Sequence, residues 1–206
     1  MRKEEYLKDP CNASSLSFWK TNNFVVPPFI HVVRDDLFDK TLDVNDQEYF
    51  KVINYLNNIE SPKLSDGYVD CSNDVSIKDF VNHINSCYVE EHVSEEELIS
   101  YKEHPTYKKE LWIAVKDIKT NQIVGTAIGE FDSSIKEGII EWVQVSNEYR
   151  RKGIGKYLVN SLLLKMKGYA DFVIVSGKVN NPSNPLNLYL SCGFKNKIIW
   201  HIYNKD

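Results

Sequence analysis

Residues 139–175 of this chain read IIEWVQVSNEYRRKGIGKYLVNSLLLKMKGYADFVIV. The segment begins with an apolar stretch typical of a strand and ends with the fully apolar run 172–175. Between them, apolar side chains recur at helical spacing over residues 153–167, namely Leu158, Leu162, Leu163 and Met166. A strand, a helix and a buried strand in this order predict a βαβ unit with a right-handed crossover and a parallel strand pair.

The flanking sequence predicts a mixed α/β (α+β) fold around this unit. Strands are predicted at 29–33, 111–115, 123–131, 139–145, 172–175 and 198–203, with a hairpin turn at 117–122. The order of these elements predicts a central, mostly antiparallel sheet with flanking helices. Residues 1–28 are predicted to be an irregular arm that ends at Pro27 and Pro28, and residues 29–206 to form a single domain.

The region 46–105 is predicted to be largely helical. Asn45 and Glu48 form a capping-box pattern ahead of apolar residues at helical spacing, Phe50, Ile53 and Leu56. Further helices are predicted at 76–91 and from the Ser94 and Glu97 capping box to Tyr101. A last helix is predicted after Asn184 as N-cap and Pro185 at the first position, ending at Gly193.

Composition and charge exclude several classes of function. The formal charge of −4 argues against nucleic acid as a partner, because phosphate binding needs a surplus of Lys and Arg along one face. We see neither a secretory signal nor an apolar run long enough to span a bilayer, so we expect a cytoplasmic protein without membrane contact. The four cysteines are widely scattered and are expected to be free thiols.

Two further groups of residues could indicate a site of another kind. His83, Cys87 and His92 fall near one another, with Cys71 upstream, but their spacing matches no standard zinc pattern, so no metal is expected. The aromatic and apolar stretch 198–203 would allow a homodimer if it formed an exposed sheet edge, although burial in the core is an equal alternative.

The most informative residues follow the strand 139–145. Gly153 and Gly155 allow the backbone to approach a ligand closely, and the next helix presents N–H groups with partial positive charge. Four cations stand beside them in a chain whose net charge is negative: Arg150, Arg151, Lys152 and Lys156. This concentration indicates a site for a multiply charged phosphate ligand.

Two well-known phosphate motifs do not fit this loop. A P-loop would need Gly at position 150 and Ser or Thr at position 157, where the chain has Arg150 and Tyr157. The dinucleotide-binding fingerprint would need a small residue at position 158, which is Leu158. What remains is the pattern Arg150-x-x-Gly153-x-Gly155.

This pattern resembles the pyrophosphate loop of the GNAT acetyltransferase superfamily, and Leu188-Tyr189-x-x-x-Gly193-Phe194 resembles the later motif of that family. The resemblance implies acetyl-CoA as cosubstrate, with its diphosphate on residues 150–156, Ile154 included. It implies that the strand through Val143, Gln144 and Val145 bonds the pantetheine arm, and that an N–H near Val143 stabilises the oxyanion. Where the family has an Asn this chain has Pro182, so Asn181 and Asn184 are the alternatives for that cofactor contact.

The resemblance also implies Tyr189 as the acid for the leaving thiolate, although this ring could merely pack in the core. As base we consider Glu141, which strand alternation places on one face with Ile139, Val143 and Val145. Apolar neighbours would raise the pKa of its carboxyl, unless it is simply a solvated polar residue. Glu130 is the second candidate for the base.

The sequence therefore predicts transfer of an acetyl group from acetyl-CoA to a primary amine of a small molecule or a protein by direct attack in a ternary complex. The alternative is a non-catalytic acyl-CoA sensor or interaction module. Residues predicted to receive the amine lie in the region 60–108, namely Tyr88, Glu90, Glu91, Tyr101 and Tyr107, and each could equally belong to a solvated helix face.

Overall fold

The structure is a computed structural model that describes residues 3–8, 29–88 and 91–204. Its strands are β1 (Ile30–Arg34), β2 (Gln47–Asn54), β3 (Tyr68–Asp70), β4 (Trp112–Asp117), β5 (Ile123–Asp132), β6 (Glu137–Val145), β7 (Phe172–Lys178) and β8 (Lys195–Asn204). Its α-helices are α1 (Lys3–Lys8), α2 (Ile77–Cys87), α3 (Glu95–Tyr101), α4 (Ile154–Met166) and α5 (Pro185–Ser191). Short 3-10 turns occupy Lys109–Leu111 and Asn147–Tyr149.

All eight strands form one sheet in the order β1-β8-β2-β7-β6-β5-β4-β3. Neighbouring strands are antiparallel except β6 and β7, which are parallel and connected through α4. The predicted fold class is confirmed, and so is the βαβ unit. Strand β8 has a partner on both sides, so the stretch 198–203 is not the exposed edge that a dimer through it would need.

The helix predicted from the Asn45 and Glu48 capping box is wrong, because residues 47–54 form strand β2 in the middle of the sheet. Phe50 and Val52 belong to the core on one face, whereas the side chain of Lys51 reaches Tyr6 on the other. Burial on both faces makes a strand apolar almost throughout, and such a run also satisfies helical spacing. These residues form a strand and not a helix because they pair with β7 and β8, which lie more than a hundred residues away in the sequence.

The two helices that follow are confirmed, although the region 46–105 is less helical than predicted because it also contains β2 and β3. Ser76 caps α2 through a capping box with Asp79. Ser94 accepts a hydrogen bond from the Glu97 N–H at the start of α3. Both helices lie over β4, β5 and β6, where Phe80, Ile84 and Leu98 of the helices pack on the sheet.

The opposite face of the sheet is covered by α4 and α5. Leu158, Leu162, Leu163 and Met166 of α4 are buried against it. The helix lies very close to the strands beneath Met166, because a Cβ atom on Gly138 would come within 2.5 Å of its sulfur. Glycine at this position therefore sets the distance between α4 and the parallel strand pair.

Only part of the predicted irregular arm is described, and that part is helix α1, so the prediction is wrong for residues 3–8. Tyr6 is fully buried, stacks on Phe172 and accepts a hydrogen bond from Lys51 Nζ at 3.0 Å. Residues 9–28 lie outside the described part of the chain. The division into an arm and one domain stays a prediction.

The last helix begins and ends where it was predicted. Asn184 occupies the predicted N-cap, with φ of 47° and without a hydrogen bond from its side chain to the helix. Pro185 stands at the first helical position, and Gly193 has the predicted left-handed φ of 85°. Among the described helices, none has the length and apolar character needed to cross a bilayer.

Paired substitutions in α4 measure how much its packing contributes to stability. We expect Leu162→Ala, at a fully buried position, to lower the free energy of unfolding by about 3 kcal/mol through lost burial and a cavity. Leu164→Ala, on the solvent side of the same helix, should change it by less than about 0.5 kcal/mol. Urea unfolding followed by circular dichroism measures both, and similar losses would contradict the assigned face.

Candidate functional site

An opening in the sheet separates the ends of β6 and β7. Their parallel pairing runs from Glu137 and Phe172 to Ile140 and Val175 and stops there. Beyond this point β6 remains bonded to β5, and β7 remains bonded to β2, but the two strands are no longer bonded to each other. The facing edges therefore present backbone N–H and C=O groups to a ligand, which suits an extended arm containing amides.

A β-bulge on β6 accompanies this separation. The register with β5 passes from Gly129 and Ile140 directly to Ile128 and Trp142, so Glu141 is the extra residue. A bulge bends its strand and reverses the alternation of side chains beyond it. The prediction that Glu141 shares a face with Ile139, Val143 and Val145 is therefore wrong.

Burial confirms this reversal. Val143 and Val145 pack on the core beneath α4, whereas Ile139 belongs to the cluster around α1 on the other face. Trp142 packs with α2 on that other face. Glu141 itself is exposed, which agrees with the alternative of a solvated polar residue and not with a carboxyl enclosed by apolar neighbours.

The predicted cradle follows the end of β6, beyond the point where the pairing of β6 with β7 stops. After the 3-10 turn Asn147–Tyr149, Arg151 and Gly153 both adopt positive φ, 61° and 84°. These turns bring the chain to the start of α4 at Ile154. Within the described part of the chain, the backbone N–H groups of residues 151–156 make no recorded hydrogen bond to protein, as expected of a first helical turn that can receive an anion.

The four predicted cationic side chains differ in the contacts that they make. Arg150 donates from Nε to the Val145 carbonyl at 3.2 Å, which ties the loop to the end of β6. Lys152 Nζ lies 4.8 Å above the Tyr149 ring, and Lys156 forms a 2.7 Å ion pair with Glu60. For Arg151 no contact is recorded among the described residues, so its charge is available to a ligand.

Gly155 holds α4 close to α5. A Cβ atom at this position would stand 3.1 Å from Leu188 Cδ2. The second glycine of the loop thus serves helix packing, whereas Gly153 serves the left-handed turn. Of the two Asn candidates, Asn181 caps its own turn by accepting bonds from Ser183, and Asn184 is exposed.

Tyr189 is buried on α5, with its ring against Phe50 at 6.2 Å and Phe194 at 5.8 Å. Burial raises the pKa of its hydroxyl, and the neighbouring Tyr88 and Cys192 add smaller contributions of the same sign. The hydroxyl is therefore protonated across the physiological range. Both roles weighed for this residue, proton donor and packing aromatic, are compatible with that position.

Glu130 on β5 is the more perturbed of the two candidate bases. It is 4% exposed, and burial raises its pKa to about 8, with a further contribution from the negative charge of Glu141. His104 Nδ1 lies 3.7 Å from Glu130 Oε1, and burial lowers the pKa of this imidazole. The structure thus brings together two carboxylates, one buried and one exposed, beside the opening.

A buried polar network behind the cradle was missed from the sequence. His83 of α2 has Nδ1 2.9 Å from Thr126 Oγ1 and Nε2 3.1 Å from Ser146 Oγ, and Thr126 also bonds Gln144. Burial lowers the pKa of His83 to about 4, so the ring is neutral. The network links α2 to the end of β6, and it gives the histidine a structural role.

The residues predicted to receive the amine are only partly assembled. Tyr88 packs edge-on against Trp142 at 5.6 Å, and Tyr101 stacks on His104 at 5.3 Å. Tyr107 packs against Trp112 instead. Glu91 forms an ion pair with Lys178 at 3.1 Å, and Glu90 lies outside the described residues.

A groove lies beside the opening on the face opposite α4. Its polar and aromatic walls are Tyr49, Glu141, Ser176 and Trp200, and its apolar part consists of four isoleucines. Its volume is about 220 Å³, enough for a small organic group but not for a large molecule. These walls come from β2, β6, β7 and β8, and of their polar and aromatic members only Glu141 was predicted as a site residue.

Residues 108–196 match the family model described as an acetyltransferase (GNAT) domain. A search of curated proteins finds no match.

Among solved structures, a GCN5-related N-acetyltransferase from Sphaerobacter thermophilus aligns with a TM-score of 0.67 and 16% identity, over 95% of this chain and 69% of that one. The ribosomal-protein-S18-alanine N-acetyltransferase from Escherichia coli aligns with a TM-score of 0.50 and 15% identity, over 68% and 95%. A chain of the NatC complex bound to Gag peptide and CoA aligns with a TM-score of 0.54 and 22% identity, over 68% and 99%. These likenesses concern the fold.

Glu130 should make stability depend on pH in a defined direction. The pKa of Glu130 in the folded protein lies above the usual 4.5, so ionisation of this carboxyl destabilises the folded state. The loss of unfolding free energy is absent below pH 4.5, grows as the pH rises towards 8 and stays constant above pH 8. Glu130→Gln removes this cost. We expect it to melt on the order of 5 °C above wild type at about pH 9 and close to wild type at about pH 4.5.

Differential scanning fluorimetry at the two pH values measures this effect. Glu148→Gln, at an exposed position, is the matched control and should follow wild type throughout. Equal melting temperatures of Glu130→Gln and wild type at high pH would show that the carboxyl is not perturbed.

Proposed function

This chain is a member of the GNAT acetyltransferase superfamily, with the family domain matched over residues 108–196, and we propose that it acetylates a primary amine. Members of this superfamily transfer acyl groups from acyl-CoA. We propose acetyl-CoA as donor and direct attack by the amine in a ternary complex. The observation that carries the proposal is the opening between β6 and β7, which leads from the cradle at α4 to two carboxylates.

The cradle would hold the diphosphate of the cosubstrate. The amides of residues 151–156 offer donors at a helix N-terminus, and Arg150, Arg151, Lys152 and Lys156 surround them with positive charge. Arg151 supplies the charge that has no recorded contact among the described residues. Asn181 and Asn184, on the loop before α5, are secondary candidates for contacts with the same ligand.

The opening would hold the pantetheine arm. Val143, Gln144 and Val145 lie on the part of β6 that has separated from β7, so their backbone groups can bond the amides of an inserted arm. A backbone N–H near Val143 would face the thioester oxygen. Such a fixed donor stabilises the negative charge that develops on this oxygen as the amine attacks.

Two carboxylates would remove the proton from the amine. Glu141 lies in the bulge, is exposed and lines the groove, so it can meet a substrate ammonium. Glu130 lies behind it and has a pKa of about 8, which suits proton exchange near neutral pH. Because their charges interact, the two should titrate as a pair.

Tyr189 would protonate the leaving thiolate. Burial keeps its hydroxyl protonated, and Phe50 and Phe194 fix the ring, so the proton is available in one position. The proposed roles of Tyr189 as acid and of the two carboxylates as base are supported by the family resemblance and by the positions of these residues.

Binding of CoA tests the cradle. We expect Arg151→Asn to raise the Kd for CoA about five- to ten-fold, because one cation beside the diphosphate is lost. Asn tolerates positive φ, so the turn is retained. Calorimetry at low ionic strength measures the Kd, and Lys167→Asn, exposed at the other end of α4, is the control. If the wild type binds no CoA, the cradle is wrongly assigned.

The pH dependence of turnover tests the carboxylates. We expect kcat/KM to rise with pH through about 8, as Glu130 loses its proton. Glu141→Gln should move this rise in kcat/KM to lower pH, since it removes the negative charge that raises the Glu130 pKa. Glu130→Gln should abolish the rise and lower kcat/KM about a hundred-fold.

Release of free CoA during incubation with acetyl-CoA and an amine library measures these rates. The assay uses two acceptor amines with different pKa values. A rise in kcat/KM that stays at the same pH for both acceptors comes from the enzyme, whereas one that shifts with the amine pKa comes from the substrate. An unchanged profile in Glu130→Gln would remove Glu130 from the reaction. Tight CoA binding without turnover of any amine would instead support an acyl-CoA sensor.

A further inference from the structure

The proposed reaction releases one proton to solvent in every turnover. A substrate ammonium loses two protons when its nitrogen becomes an amide, and the leaving thiolate takes up one of them. The other proton has to leave the protein. Glu130, the buried candidate base, is only 4% exposed, so a proton on its carboxyl has little contact with water.

The release of this proton is slow enough to matter for the rate of turnover. An acid with a pKa of about 8 gives its proton directly to water on the order of 100 times per second, if recombination is limited by diffusion. Enzymes commonly turn over between about 1 and 1,000 times per second. Because burial slows direct release further, a group that carries the proton from Glu130 to the surface would speed the reaction cycle.

His104 lies between Glu130 and the surface. Its Nδ1 atom is buried and stands 3.7 Å from Glu130 Oε1. The side chain as a whole is 18% exposed, so other atoms of it reach solvent. Imidazole can accept a proton at one nitrogen and release a proton from the other, which suits it to a relay. Catalytic contacts of this length commonly shorten when substrates bind.

The imidazole ring is held in this position by the turn that carries it. Tyr101, at the end of α3, stacks on the ring with a centroid distance of 5.3 Å. The His104 N–H donates to the Tyr101 carbonyl, and the Phe131 N–H of β5 donates to the Thr106 carbonyl at 2.8 Å. The turn is thus bonded to the residue next to Glu130, which fixes the two side chains relative to each other.

The protonation states of the pair are those that a relay needs. Burial lowers the pKa of His104, with Glu103 acting in the opposite direction, so the ring is uncharged near neutral pH and can accept a proton. Because the Glu130 pKa of about 8 is the higher of the two, the proton stays on the ring only briefly. The other ionisable groups around the pair and around Tyr101 are acids of α3, β5 and β6, namely Glu97, Asp132 and Glu141.

We propose that His104 carries the proton from Glu130 to solvent in each turnover. This inference rests on the proposed acetyl transfer with Glu130 as base. The amine nitrogen bonds the acetyl carbon, the carbon–sulfur bond breaks, and the thiolate takes up one proton. The second proton passes from Glu130 Oε1 to His104 Nδ1, and the ring becomes neutral again by giving a proton to water or buffer. His104 acts through Glu130 and bonds none of the reacting atoms.

Chemical rescue tests the relay. The assay follows CoA release at low buffer concentration, with acetyl-CoA and the amine of the library that is acetylated fastest. We expect His104→Ala to lower kcat about ten-fold and to leave KM within about two-fold, because proton release follows substrate binding. Added imidazole should restore kcat to within about three-fold of wild type, since it accepts the proton in place of the lost ring.

Two controls distinguish proton transfer from the filling of space. Pyrazole has the size of imidazole but is far less basic, so it should not restore kcat in His104→Ala. His92→Ala, which removes an exposed histidine ahead of α3, should leave kcat unchanged. Equal recovery with imidazole and pyrazole would show that His104 only fills space, and it would overturn the relay.

The pH profile separates the relay from an effect on the base itself. His104→Gln fills much of the same space without accepting protons, so it should lower kcat as His104→Ala does. Its kcat/KM should still rise through about pH 8, because Glu130 remains the base. A rise that disappears or moves in His104→Gln would mean that the histidine only shapes the surroundings of Glu130, and the relay would be wrong.

The outcomes separate this inference from the function on which it rests. CoA binding without turnover of any amine overturns both. A wild-type kcat in both His104 variants, or a loss that imidazole does not restore in His104→Ala, overturns the relay and leaves acetyl transfer intact. If His104→Ala melts early, His104→Gln carries the test, and its kcat should increase with imidazole concentration more steeply than that of wild type. An equal response of the two proteins is then decisive against the relay.

Discussion

The parting of β6 from β7 is the constraint on which the rest of the site depends. Apolar residues hold the two strands together as far as Ile140 and Val175, and the extra residue Glu141 then bends β6. Beyond it, β6 follows β5 and β7 follows β2. The same bend carries the chain to the start of α4, so the opening and the anion cradle arise from a single local irregularity.

Positive and negative side chains lie at opposite ends of this opening. A chain with a net charge of −4 places four cations at one end of the opening and two carboxylates near its paired end. An anionic cosubstrate and a cationic acceptor would therefore approach from different sides. Burial of Glu130 adds a pKa suited to proton exchange, at a cost in stability that the surrounding core must offset.

Errors in the sequence interpretation arose where distant pairing outweighed local pattern. Residues 45–56 carry a capping-box pattern and helical spacing, yet residues 47–54 lie between β7 and β8, where a strand pairs its backbone groups on both sides. Alternation placed Glu141 with Val143, but a bulge that is visible only in the register with β5 reversed it.

The sequence by itself determined the βαβ unit and the loop that joins it, because glycines, cations and helical spacing act over a few residues. It thereby fixed the place of Gly153 and the cations around it. Only the tertiary structure decided the partnership of Glu130 with Glu141 and the groove that contains Ser176 and Trp200. These groups come from separate strands, and a buried charge or a groove is defined by what surrounds it, which no local pattern encodes.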